Sequence, residues 1–330
     1  MFCPRVSNQC LQLICSTNHV RFGSKNDTNW FMLAWIAFLL LIIPYFAYAN
    51  GRFRQRLRQM AKTKQRAGLL IALHIIPYLL IALPTTGVTN RDFWIGLGKM
   101  ALFIGIPGLA TLLRPAKAKS LHLLDIVAIL AVWFPIEFGW LPPADIHLAE
   151  GVNLPGATLT GVILYLFLYL VVRPLPRIGY TFQITKLDLK RVNTGLIAYT
   201  LVGIPIGLLT HFLRFSIADF DLFTWVLAWP LGYLFTALPE ELLFRGIIQQ
   251  QLHHRLKNQW LALAVASFIF GLAHLNNSTG GYPAPNWMYV LMATIAGLAY
   301  GWTWHKTGKI TASALVHATV NFIWGIFLTA

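Results

Sequence analysis

Apolar residues in this chain come in long runs, not at the alternating spacing of strands. Ten runs stand out, at residues 30–49, 67–83, 94–113, 121–141, 159–172, 194–213, 223–251, 260–274, 287–304 and 310–329. A helix needs about 17–25 apolar residues to cross the hydrocarbon of a bilayer. The pattern therefore predicts an all-α, polytopic transmembrane helical bundle of about ten spans, with the fifth and eighth short for a full crossing. Nothing in it resembles a β-barrel, a sequence repeat or a low-complexity tract. The polar, basic, proline-containing stretch 174–191 divides the chain. It separates an N-terminal region, residues 1–190, with about five spans of unassigned role, from a C-terminal core, residues 191–330, where the chemistry gathers.

Composition narrows the class. Of 330 residues, 57% are apolar and only 11% charged, and the mean hydropathy is +0.61. Soluble domains carry about 25% charged residues, so a soluble globular enzyme and a disordered chain are both excluded. A net charge of +15 would otherwise suggest nucleic acid. Here the cations follow the loops, and no nucleic-acid partner is expected. With ten alternating spans, nineteen Lys and Arg fall on one side, including Arg52, Arg54, Arg56, Arg58, Arg255 and Lys257. Only Arg5, Arg21, Lys25, Arg91 and Arg214 fall on the other. The positive-inside rule makes the first side cytoplasmic and leaves both termini outside. The expected setting is an integral multi-pass protein of the plasma membrane, with the lipid bilayer as a partner. The basic segment 51–66 reads first as a topogenic signal, and secondarily as a site for anionic headgroups. The cysteines, Cys3, Cys10 and Cys15, form no CxxC motif and support neither a disulfide framework nor a thiolate metal site. The first 29 residues lack the apolar core and cleavage site of a signal peptide, and a start near Met32 is an alternative reading.

A charge inside hydrocarbon costs at least about 2.5–3.5 kcal/mol on insertion scales, so its default reading is functional. Lys99 is near enough to a span end to snorkel. Asp125 and Glu137 are twelve residues apart, do not face one another, and read as interfacial or packing groups, as does His122. His74 and His211 are lone histidines and read as structural. The run Pro239-Glu240-Glu241-Leu242-Leu243-Phe244-Arg245-Gly246 differs from all of these. Two adjacent carboxylates in a low-dielectric helix do not both ionise easily. Arg245 lies one turn after Glu241 and is placed to pair with it. Glu240 then points about 100° away, available as a base. The plainer reading of the same residues is an ion pair that fixes helix packing.

Histidines weigh on that choice. A turn at residues 257–259 puts Glu240 and His274 at 18 and 16 residues on either side of Asn258. At about 1.5 Å per residue both climb roughly 24–27 Å from the turn, and antiparallel neighbours about 8–10 Å apart bring them to one water. His317 and Asn321 share a face of the last span. They lie only 8 and 12 residues past Lys309, so the hairpin is expected to protrude, with Gln249–Gln251 and residues 253–258 as its polar, solvated end.

Together, Glu240-Glu241-x-x-x-Arg245, Phe270-x-x-x-His274 and His317-x-x-x-Asn321 resemble the three-motif signature of the CPBP intramembrane protease family. That family includes the type II CAAX prenyl endopeptidases and bacterial relatives. The resemblance covers about residues 194–330. It implies an intramembrane peptide hydrolase in which Glu240 is the general base on water and His274 helps hold that water. It further implies that His317 and Asn321 stabilise the oxyanion, that Glu241 and Arg245 support the site, and that Phe270 packs beside His274. The expected substrate is a membrane-embedded or lipidated, CAAX-like peptide or protein.

No metal is expected among the site residues and no cofactor, although two histidines with two carboxylates leave zinc open. There is no HExxH, and Asn321 suits an oxyanion donor better than a zinc ligand. Neither a Gly-x-Ser-Gly nor a Gly-x-Gly-Asp sequence occurs, which disfavours serine and aspartyl intramembrane chemistry. Two other readings use the same polar cluster, a transporter or channel and a non-catalytic, immunity-type binding protein.

Overall fold

The computed structural model describes residues 25–115, 121–149, 152–217 and 222–329. The cysteines, Arg5, Arg21, Lys117 and Lys119 lie outside them. All ten apolar runs are helical. Among the described residues five helices, Trp30–Ala47, Lys64–Thr85, Arg91–Leu113, Lys186–Leu209 and Ile310–Phe327, are long and apolar enough to cross a membrane. The two short runs correspond to shorter apolar helices, Gly156–Val172 and Gln259–Leu272. Two small antiparallel strand pairs interrupt the helical pattern, Asp145–Ala149 with Val152–Pro155 and Arg214–Phe215 with Leu328–Thr329. Large apolar side chains face outward along the long helices, among them Leu102, Leu109, Ile197 and Leu201. Lipid replaces protein as their apolar surroundings. The protein is an all-α helical membrane bundle.

The described chain forms two compact units, one ending at Leu175 and the other running from Pro176. In the first, the ionisable groups inside the apolar runs have structural work. Asp125 is buried and held by Arg114 at 2.9 Å and by Arg173. It also closes a capping box with His122 at the start of Leu123–Glu137. His74 bonds through Nδ1 to the carbonyls of Leu70 and Ile71 and packs on Phe167. These are satisfied structural groups, as their isolation in the sequence predicts.

In the second unit, Thr185 and Asp188 cap Lys186–Leu209, and Lys309 Nζ reaches the Asp188 carboxylate at 2.6 Å. His211 is exposed at the turn after that helix. A long helical segment then runs from Leu222 to Leu256 with two π-helical stretches, Tyr233–Ala237 and Leu242–Gln249. Between them sits a single α-turn, Leu238–Glu241. Pro239 explains the first stretch. Having no N–H and crowding the carbonyl four residues back, it breaks the regular ladder, and Leu238 N–H bonds to Tyr233 O five residues behind. Such π turns rotate the side chains that follow them. The segment ends where the sequence places a turn: Lys257 is left-handed at φ 53°, and Asn258 accepts from Trp260 N and Leu261 N to cap the next helix.

Gln259–Leu272 and Trp287–Thr307 pack at very close range. A Cβ on Gly271 would lie 2.1 Å from Thr294 Oγ1 and 2.5 Å from Val290 O, so only glycine lets the backbones approach this far. The loop between them is tied by the buried Asn286, which donates to Asn277 O at 2.9 Å and accepts from Tyr289 N.

Candidate active site

Glu240, Glu241 and Arg245 project from the π-interrupted segment, His274 from the end of Gln259–Leu272 and His317 from the last helix. All five are buried, with Glu241 and Arg245 fully excluded from solvent. Arg245 Nε lies 3.2 Å from Glu241 Oε2, the pairing that their spacing predicts. The guanidinium also donates from Nη2 to Gly297 O at 3.2 Å and lies over the rings of Phe270 and Tyr300, at 4.7 and 5.5 Å from their centroids. A cation excluded from water thus meets one carboxylate, one carbonyl and two π faces.

Glu241 is a hub. Its Oε1 accepts from His317 Nδ1 at 2.9 Å, and its Oε2 meets Ser313 Oγ as well as Arg245. Ser313 Oγ is also 2.7 Å from Tyr300 O, which ties the last helix to Trp287–Thr307. The Tyr300 ring stacks on His317 at 4.5 Å and 15°. Orientation of His317 is therefore fixed by a hydrogen bond at one edge and a parallel ring on one face. Its Nε2 points the other way and stands 3.7 Å from Glu240 Oε2. That is longer than a direct hydrogen bond and suits an intervening or shared proton carrier.

His274 Nδ1 is 2.9 Å from Phe270 O. A carbonyl only accepts, so Nδ1 carries the proton and Nε2 remains for other partners. Phe270 stands between the two histidines, with ring centroids 4.9 Å from His274 and 5.6 Å from His317. The packing role expected for Phe270 is present, and it extends to both imidazoles and the guanidinium. Asn321 lies one turn beyond His317, half-buried, and its side chain makes no hydrogen bond among the described residues.

Sequence reasoning missed the Glu241–His317 bond, Ser313 and Tyr300. Ser313 had a usable signal: it precedes His317 by four, as Asn321 follows it by four, so all three share one helical face. The reading of Gln249–Gln251 is corrected. Those glutamines were expected at a solvated hairpin end and are instead buried. Gln249 Nε2 donates to Gly301 O at 3.3 Å, and Gln250 Nε2 is 2.9 Å from His254 Nε2. Trp287–Thr307 covers Gln249, and Gln259–Leu272 packs on the helix that begins at Gln250.

The donor set can be tested against zinc. Among the described residues no group of three or more His, Cys, Asp or Glu is arranged to hold a metal ion. Glu241 spends both oxygens on Arg245, Ser313 and His317, whereas each histidine engages Nδ1 and leaves Nε2 open, as metal-ligating imidazoles also do.

No curated protein and no solved structure matches this chain. Residues 222–323 match the family model of the type II CAAX prenyl endopeptidases, Rce1-like. The matched stretch contains the glutamate pair, Arg245, Phe270, both histidines and Asn321, and over residues 222–323 the chain is similar to this family of proteases.

Proposed function

We propose that this protein is an intramembrane endopeptidase that hydrolyses peptide bonds in membrane-embedded or lipidated, CAAX-like substrates with a glutamate-activated water. The observation that carries the reading is the division of labour between adjacent carboxylates. Glu241 is bound to Arg245, Ser313 and His317, while Glu240 faces His317 Nε2 across 3.7 Å. A water in that space gives one proton to Glu240 as its oxygen attacks the carbonyl carbon. His274 Nε2, a lone pair in the tautomer set by Phe270 O, accepts from the same water and fixes its direction. The carbonyl oxygen becomes an oxyanion, facing donation from His317 Nε2–H and the Asn321 amide. In this reading His317 works as an imidazolium paired with the Glu241 carboxylate, giving Nδ1–H to Glu241 and Nε2–H to the oxyanion and keeping both protons throughout. Collapse breaks the C–N bond, and the proton held by Glu240 passes to the leaving amine.

In this reading Glu240, His274, His317 and Asn321 act on the reacting atoms, and Glu241 and Arg245 position them. No step runs through a metal. The catalytic core occupies residues 191–330, within a ten-span plasma-membrane protein whose basic loops face the cytoplasm. The test is cleavage of a fluorogenic membrane peptide by purified, chelator-treated protein. Activity is expected to survive chelation and to fall by at least about 10³-fold in Glu240→Gln, which keeps the shape and removes the base. Activity lost to chelator and restored by zinc alone, or retained by Glu240→Gln, refutes the mechanism.

A further inference from the structure

The basic segment between the first two long apolar helices is itself folded. Gly51–Met60 is a helix capped by Asn50, whose side chain accepts from Arg52 N at 2.8 Å. It joins Trp30–Ala47 to Lys64–Thr85, both of membrane-crossing length, and so sits at the membrane end of each. Two contacts fix its orientation. Phe53 packs edge-on against Tyr48 at 5.4 Å, and Arg58 donates from Nε and Nη2 to Leu170 O at 3.0 and 2.8 Å. Phe53, Arg54 and Leu57 are half-buried on the side that leans on the protein.

The opposite side carries Arg52, Gln55, Arg56 and Gln59, all exposed. They stand at i, i+3, i+4 and i+7, which is one face of a helix. The helical period thus sorts the alternating arginines of residues 52–58: Arg58 grips the fold, while Arg52 and Arg56 share the outer face one turn apart, where like charges repel. Lys62, Lys64 and Arg66 follow, also exposed. No Asp or Glu occurs between Asp27 and Asp92. Among the described residues none of these five cations pairs with a carboxylate, and the buried acid of this unit, Asp125, is held by Arg114 and Arg173. A topogenic signal needs only positive charge on one side of the membrane. It does not require an ordered stripe of cations that repel one another.

The next helix says what lies against this surface. Arg66, Leu69 and Leu73 fall at i, i+3 and i+7 of Lys64–Thr85, and both leucines are exposed. Lipid covers exposed apolar side chains on such a helix. Arg66 is one turn further out on the same lipid-facing line, which is the level of the headgroups, and the exposed Met60 precedes it. Charge complementarity then selects the occupant, since an anionic leaflet attracts juxtamembrane cations. We propose that residues 51–66 form a docking surface for an anionic phospholipid leaflet, with Arg52, Arg56, Lys62, Lys64 and Arg66 on the headgroup phosphates. The surface belongs to the unit that ends at Leu175 and does not depend on the protease reading.

The test uses the whole protein in phosphatidylcholine nanodiscs that hold a trace of photoreactive lipid, either phosphatidylglycerol or phosphatidylcholine with a diazirine near the glycerol. Crosslinked peptides are mapped by mass spectrometry. Labelling by the phosphatidylglycerol probe is expected to exceed that by the phosphatidylcholine probe about fivefold at residues 51–66. Around the exposed cations Lys186, Lys190, Arg255 and Lys257, the expected ratio is below about twofold. Arg52→Gln/Arg56→Gln is expected to lower the first ratio at least about twofold. Equal ratios at all these segments reduce the surface to diffuse charge and overturn the proposal, as does a variant that labels like the unmodified protein. Should the variant insert with altered topology, the unmodified protein carries the test at about 0.5 M salt, where the Debye length falls to about 4 Å. Collapse of the fivefold ratio supports the surface, and its persistence overturns it. A ratio near one, together with capture of soluble polyglutamate, assigns an acidic protein partner and also overturns it.

Discussion

The adjacent glutamates should fail in opposite ways. Glu241→Gln removes the charge that faces Arg245, a guanidinium with no solvent exposure. Breaking one side of a buried ion pair costs about 3–5 kcal/mol, because the remaining charge stays buried without compensation. Gly297 O and the faces of Phe270 and Tyr300 soften that cost but do not neutralise a full charge. At about 2–4 °C per kcal/mol for a unit of this size, the expected loss is roughly 6–20 °C in unfolding temperature. Glu240→Gln keeps the shape of a buried side chain that faces His317 at 3.7 Å, and it should abolish hydrolysis by removing the base.

The assay pairs a thermal melt in detergent with cleavage of a fluorogenic peptide, on Glu240→Gln, Glu241→Gln, Arg245→Met and the double variant Glu241→Gln/Arg245→Met. If the destabilisation comes from an orphaned charge, removing both partners restores much of the melt. The double variant should then unfold above either Glu241→Gln or Arg245→Met. It should stay impaired in turnover, since His317 loses the carboxylate that accepts from Nδ1. Strict additivity of the two single losses refutes the ion-pair argument. A large loss of stability in Glu240→Gln, with activity kept in that variant, refutes the assignment of the base and exchanges the two roles.

Two other outcomes follow from the geometry. Asn321→Ala should lower kcat about 10²–10³-fold, the usual cost of one oxyanion donor, with the melt almost unmoved because Asn321 bonds to nothing among the described residues; a matching drop in stability refutes a transition-state role. Gly271→Ala should destabilise by more than about 2 kcal/mol, since its Cβ would sit 2.5 Å from the Val290 carbonyl and 2.1 Å from Thr294 Oγ1, and an unchanged melt shows that these helices separate without cost.

Much of this molecule was legible because the membrane simplifies the code. An apolar run of bilayer length has few alternatives to a helix, and all ten runs are helical. The charges inside those runs could then be sorted by company: Asp125 and His74 stood alone and are structural, whereas Glu240, Glu241 and Arg245 stood together. The Arg245–Glu241 pair followed from an i,i+4 count, and the turn before Asn258 from the polar residues around it. What the sequence hid was whatever depends on phase between helices. Two π stretches bracket Leu238–Glu241, and a regular 3.6-residue wheel cannot carry a side-chain direction across them. The i,i+4 pair survived because it tolerates such local unwinding, while the bond from His317 to Glu241, 76 positions away, did not follow from any spacing. The glutamines at 249–251 misled for a related reason. Three amides in a row read as solvated when counted by polarity, yet an amide can satisfy itself on a neighbouring helix carbonyl, as Gln249 does on Gly301.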